Sequence, residues 1–271
     1  MKFLGFRNDG QGCIGVVGDD GESVSLLTTI DEFYADLDRW QAATATGPTF
    51  ARDEIEQIPA IPTTAKILCL GLNYQSHVQE TGSERPAAPN IFARWYATLS
   101  CDGDSIPVPS GEPGLDWECE LAVIIGSNLV DTPASEAMAG ILGYTCFNDV
   151  SGRTHQRATS QWALGKNPDA SGPIGPHVVT ADEYGDPYGR AIQTRVNGET
   201  MQSSTTDRML FKIDETIEYI TKCISLRPGD VIATGTPEGV GGSRKPPVFM
   251  GPGDTVEVDI EGIGVLRSHI T

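Results

Sequence analysis

Positive charge is scarce in this chain: 19 lysines and arginines stand against 37 aspartates and glutamates, a formal net charge of −18. Such a surface repels nucleic-acid backbones and anionic membranes, so neither is expected as a partner. A small anionic substrate remains compatible with it, because a bound divalent cation inverts the local potential. No apolar run approaches the length of a membrane span. The opening MKFLGFRNDG reaches a charged, turn-like stretch too soon for a secretory signal, and a soluble, cytoplasmic protein is expected. Paired cysteines are missing too. Cys13, Cys69, Cys101, Cys119, Cys146 and Cys223 form no CxxC, and several sit in apolar runs. That excludes the usual zinc-thiolate and disulfide frameworks and favours free thiols in a reducing compartment. The glycine-rich TPEGVGG lacks the spacing of a phosphate loop, and no internal repeat occurs.

What is present is an ordinary globular composition, 39% hydrophobic and 21% charged over 271 residues. This length suits one large domain or a small unit joined to a larger one. The second arrangement is expected, with a division into residues 1–60 and 61–271. KFLGFR and CIGVVGDDGESVSLL read as short strands with a hairpin turn at DDG. A capping box from Thr29 to Glu32 opens a helix that carries Phe33, Leu37 and Trp40 on one face. The two prolines of IPAIPTTAK make a plausible linker, and nothing before it gathers catalytic residue types.

Beyond the linker the chain is strand-rich with a few helices, an α+β pattern. Strands and helices do not alternate regularly, which disfavours Rossmann and TIM architectures. A helix is predicted after Thr132 as N-cap, and another with Ile213, Ile217, Ile220 and Ile224 on one face. Asn197-Gly198 marks a hairpin turn, and two more strands flank Gly262-Ile263-Gly264.

The stretch LDWECELAVIIG, residues 115–126, sets the main question. In an extended strand Glu118, Glu120, Ala122 and Ile124 share one face. Two adjacent carboxylates at the mouth of a strand apolar on both faces repel each other unless a cation or proton intervenes. By itself the pattern leaves two readings open, a metal site or the solvated end of a strand beginning near Asp116. His77 and Glu80 are three apart and share a face if NYQSHVQE is helical. A carboxylate fixing an imidazole makes a general base, although a polar helix carries such pairs on its surface as well. The segment GSERPAAP after it reads as a mobile connection that could act as a lid. Lys166 stands in a Gly/Pro-punctuated loop, where a solvated lysine is the default.

The ordered set NYxxHxxE, FxR, DxExEL, NDVSxRxxQ, K-x-x-D-x-x-GPxGP, VNGExxQ, LxPGDxIxTGTPxGVG and PGD resembles the catalytic domain of the fumarylacetoacetate hydrolase family, from about Lys66 to the C-terminus. The resemblance implies a mixed β-roll or β-sandwich-like fold, a homodimer, and a Mg²⁺ or Mn²⁺ ion held by Glu118, Glu120 and Asp149. It implies a His77–Glu80 pair that activates water, and Lys166 as a catalytic cation stabilising an enolate. Arg94, Arg153, Gln156 and Thr236 fall where the family binds substrate. Hard oxygen ligands suit Mg²⁺ or Mn²⁺. Two departures stand out: Arg94 replaces a common lysine, and Trp95 and Tyr96 replace small residues, so a reshaped pocket is expected. The leading expectation is hydrolytic carbon–carbon cleavage of an acylpyruvate-like 2,4-dioxo acid through a metal-bound enolate. The alternative is decarboxylation, tautomerisation or hydration of a 2-oxo diacid or dienol at the same site.

Overall fold

In the computed structural model, which describes residues 1–271, the acidic strand Cys119–Ile125 lies inside a twelve-stranded sheet. All seven of its residues are buried. It pairs antiparallel with Ile141–Asn148 on one side and Val231–Ala233 on the other. Val231–Ala233 runs parallel to Ile67–Gly71, whose other neighbour is Asn90–Arg94. A second sheet of five strands carries Ala191–Val196, Glu199–Thr205, Thr255–Ile260 and Gly264–Ile270.

The apolar character of both faces of the acidic strand now has a cause. Leu121, Val123 and Ile125 pack in one core with Ile192, Val258, Ile260 and Leu266 from the second sheet. Ala122 and Ile124, on the opposite face, pack in another core with Phe3, Ile14, Phe33 and Ile61. Burying each large aliphatic or aromatic side chain contributes roughly 1.5–3 kcal/mol, so both faces hold the strand in place. The fold is mixed α+β and strand-rich, with the sandwich-like layering expected.

Residues 1–60 contribute to that layering. Lys2–Asn8 pairs with Gly172–Thr180 through Lys2↔Val179 and Phe3↔Val178, so the large sheet runs across the proline-rich junction.

Asn197 and Gly198 form the expected turn with φ of 51° and 80° between Val196 and Glu199. The Thr29 hydroxyl caps as expected, accepting from Glu32 N. The helix it opens, however, breaks into Ile30–Ala35 and Leu37–Gln41, because the Asp36 carboxylate caps a new start by accepting from Arg39 N. Pro133 rather than Thr132 takes the N-cap position of Ala134–Ala137. The isoleucine-faced helix ends at Thr221, leaving Ile224 exposed beyond it.

Candidate active site

The antiparallel register brings the acids together. Cys119 lies opposite Asn148, and Asp149 N donates to Glu118 O at 3.0 Å, so the start of one strand meets the end of the next. One carboxylate oxygen each from Glu118, Glu120 and Asp149 lies within 4.8 Å of the others, and all three residues are buried. The reading of a solvated strand end is thereby overturned, and Asp116, where that strand was to emerge, is itself 0% exposed.

Compensation of the three charges is uneven. Lys166 Nζ donates to Glu118 Oε2 at 2.8 Å and to Asp149 Oδ2 at 2.6 Å. Arg153 Nη2 reaches Glu118 Oε1 at 2.7 Å, and Arg94 Nη1 donates to Asp149 Oδ1. Glu120 has no cation. Its Oε2 accepts from Gly235 N at 2.8 Å, and its Oε1 is buried without any hydrogen-bond partner. Burial pushes the Glu120 carboxyl well above the usual range, and the charges of Asp149 and Glu118 push it further. Glu118 goes the other way: burial works to raise its pKa, but Lys166 and Arg153 outweigh that and hold it down to about 2. Lys166 is raised, since Asp149 and Glu118 outweigh the burial that would lower it. A buried oxygen lacking a partner, beside two other carboxylates, fits a hard divalent cation.

The other expected residues fall into two groups. Lys166 is only 2% exposed and ends the short helix Ala163–Lys166, so the default of a solvated loop lysine is corrected. His77, Glu118, Arg153, Gln156, Lys166 and Thr236 all line one cavity of about 420 Å³. His77 Nδ1 lies 3.3 Å from Glu80 Oε2 on the helix Gln75–Thr81. Glu80 Oε1 also accepts from Gly239 N at 2.9 Å, and Ser76 donates to Glu238, which docks this helix on the glycine-rich loop. Ser83, from the connection expected to be a lid, also lines the cavity. Gln202 Nε2 donates to Thr236 Oγ1 at 2.8 Å and fixes that hydroxyl. Arg94 does not reach the cavity wall: its Nη1 holds Asp149 from behind and its Nη2 donates to Ser171. Trp95 and Tyr96 are absent from the wall as well, so they do not reshape the pocket directly.

Asp116, expected at a solvated strand end, instead organises this centre. It accepts from Gly241 N at 2.6 Å, Gly242 N at 2.8 Å and Arg153 Nε at 2.7 Å. The signal was available, since Asp116 stands two residues before Glu118 and alternation places both on one face. Glycine is required at residue 235, whose φ is 90° and where a Cβ would come within 2.7 Å of Asn73 Cβ. That backbone delivers the N–H received by Glu120.

The family is shown by comparison with known proteins. Residues 66–271 match the model for the fumarylacetoacetate (FAA) hydrolase C-terminal family, and the chain belongs to that family. Among its relatives is the mitochondrial oxaloacetate tautomerase FAHD2A of Bos taurus, 40% identical over 249 residues, covering 91% of this chain and 79% of that protein. The fumarylacetoacetate hydrolase of psychrophilic Exiguobacterium antarcticum superposes with a TM-score of 0.85 at 32% identity, over 100% of this chain and 99% of that one. A fumarylpyruvate hydrolase from Pseudomonas aeruginosa, solved with Mn²⁺ and pyruvate, gives a TM-score of 0.70 at 29% identity, over 80% and 91% of the two chains.

Proposed function

We propose that this chain is a divalent-metal enzyme of 2-oxo acid chemistry, and that its reaction is keto–enol tautomerisation of a 2-oxo diacid of the oxaloacetate type. The observation that carries this reading is the buried Glu118–Glu120–Asp149 trio, with its partnerless Glu120 oxygen, set behind a cavity that His77 and Lys166 line. The tautomerase relative, 40% identical over 91% of this chain, supports the choice of reaction.

Glu118, Glu120 and Asp149 would hold Mg²⁺ or Mn²⁺, which when bound supplies a Lewis acid for the oxygens of a 2-oxo acid. With Nδ1 taken as the protonated nitrogen facing Glu80, His77 presents Nε2 as the base. His77 removes a proton from C3, the electron pair of that C–H bond becomes the C2–C3 π bond, and the carbonyl π pair moves onto the keto oxygen. Return of the proton to that oxygen completes the enol: one C–H bond breaks and one O–H bond forms. Lys166 and Arg153 meet the negative charge that develops. Gln156 and Thr236 hydrogen-bond the substrate. Arg94 acts on Asp149, keeping a ligand oriented and leaving the substrate to others.

A second reading is favoured by the hydrolase neighbour solved with Mn²⁺ and pyruvate. In it, His77 deprotonates water for attack on the distal carbonyl of an acylpyruvate-like 2,4-dioxo acid, and the carbon–carbon bond breaks. Decarboxylation and hydration would use the same groups. Oxaloacetate and acetylpyruvate offered separately with Mg²⁺, and followed by NMR, separate these outcomes. Rapid equilibration of oxaloacetate tautomers is expected, with His77→Ala slower by about 100-fold or more. Cleavage of acetylpyruvate with no effect on the oxaloacetate tautomers would instead establish the hydrolase.

The active form is proposed to be a homodimer. Exposed Trp95 and Leu164, on segments joined through Asn167, support this as apolar surface awaiting cover. A cytoplasmic location is likewise proposed, supported by six free thiols, five of them buried. No helix is long and apolar enough to cross a membrane.

A further inference from the structure

We infer that Arg157 is the specificity-determining residue that selects substrates carrying a second carboxylate. This deepens the proposed function and rests on its reading of the cavity as a 2-oxo acid site. Arg157 closes the helix Arg153–Arg157 and lines the same cavity as Arg153 and Lys166. Residues four apart on a helix share a face, so Arg153 and Arg157 form one basic edge. Their commitments differ. Arg153 is engaged by Asp116, Glu118 and Gln156, and Lys166 by Glu118 and Asp149. Arg157 is exposed and makes one hydrogen bond, from Nη2 to Gly242 O at 3.3 Å, with no carboxylate in salt-bridge range. A guanidinium has five N–H donors in a planar fork, so most of this one is free to meet a carboxylate.

Charge balance assigns it that task. Arg94, Arg153 and Lys166 face Asp116, Glu118, Glu120 and Asp149 in the buried cluster. Adding a divalent ion leaves one net positive charge, which the 2-oxo carboxylate satisfies. A second carboxylate on the substrate needs another cation, and Arg157 is the arginine on the wall without an acidic partner. The Gly242 carbonyl is the one group that receives Arg157, so the guanidinium rests on the loop beside the cavity. In a chain of net charge −18, an unpaired arginine at a cavity is the group that a dianion would find.

The test compares two four-carbon acids that differ only in the distal carboxylate, oxaloacetate and 2-oxobutyrate. Exchange of C3 protons in D₂O is followed by NMR with Mg²⁺ present, for the natural protein, R157Q and R157K. The ratio of kcat/KM for oxaloacetate over 2-oxobutyrate is expected to fall about ten-fold in R157Q, through KM, with R157K between. A ratio changed less than two-fold, with both substrates affected alike or neither, would overturn the inference and leave Arg157 a support for the Gly242 loop. If the natural protein exchanges neither acid, the proposed function fails, and calorimetry still decides Arg157. There, R157Q should weaken 2-oxoglutarate about ten-fold relative to its five-carbon monocarboxylate counterpart 2-oxovalerate. Equal weakening of both would again refute the role.

Discussion

Glu118, Glu120 and Asp149 lie within the same few ångströms, yet their surroundings treat them unequally. Two are held by cations and one is left without. The acids themselves could be read from the sequence, because strand alternation places Glu118 beside Glu120 and the family motif supplies Asp149. The place of Arg94 could not, because it depends on which strands become neighbours. Its fork spans Asp149 and Ser171, residues 55 and 77 positions away in the chain. Arg94→Lys replaces that fork by a point charge, and affinity for Mn²⁺ is expected to fall about ten-fold in a calorimetric titration. His177 is set for a pH response of its own. Both its ring nitrogens are buried without partners. Burial, then the charges of Arg52 and Lys2, lower its pKa to about 4, against a smaller raising by Glu183. The unfolded chain therefore binds a proton that the folded one refuses. Stability is unaffected above about pH 6.5 and falls as pH drops from there toward 4. Denaturant midpoints across that range should decline less steeply in His177→Gln.

The helix Arg153–Arg157 shows how an element this short is held. Glu112, from a loop some forty residues earlier, accepts from Thr154 N at 3.0 Å, from His155 N at 2.9 Å and pairs with His155 Nδ1 at 2.6 Å. It satisfies backbone donors at the helix start that nothing in the helix itself could satisfy. Burial works to raise the Glu112 pKa, but the bonds from His155 and Thr154 outweigh it and lower the value. Its stabilisation is thus fully present above the ordinary carboxylate value and is lost as pH falls from there through the lowered one. Glu112→Ala should cost about 1–2 kcal/mol in thermal unfolding and raise KM, as Arg153 and Gln156 lose their posture. Such a cap is invisible in sequence because its two halves are distant. Near-neighbour signals fared better: Asn197-Gly198 names its turn outright. Between these lies Asp36, where an aspartate that looked like part of one helix caps the next.

On the scale of the whole molecule, the first sixty residues and the catalytic strands share one core, with Phe3, Ile14 and Phe33 packed beside Ala122 and Ile124. The proposed division at residue 60 is thus between units that stabilise each other. A chain beginning at residue 61 should be less stable by at least the ~3 kcal/mol lost when even one large core side chain is removed, and should unfold at a markedly lower temperature. Equal stability of the long and short chains would refute that coupling. The acids lie where this core ends: on the buried side of the cavity, at the junction of Cys119–Ile125, Ile141–Asn148 and the loop after Val231–Ala233.

The proposed enol chemistry requires that this trio hold a divalent ion. The most direct measurement is a calorimetric titration of Mn²⁺ into the chelator-treated protein, alongside tautomerisation of oxaloacetate at each addition. One ion per chain is expected, with activity rising in proportion to occupancy. Glu120→Gln, which mimics the protonated acid, should keep the fold and lose Mn²⁺ affinity by more than about 100-fold. Full activity in excess chelator, or undiminished Mn²⁺ binding by Glu120→Gln, would rule out a metal centre at these acids.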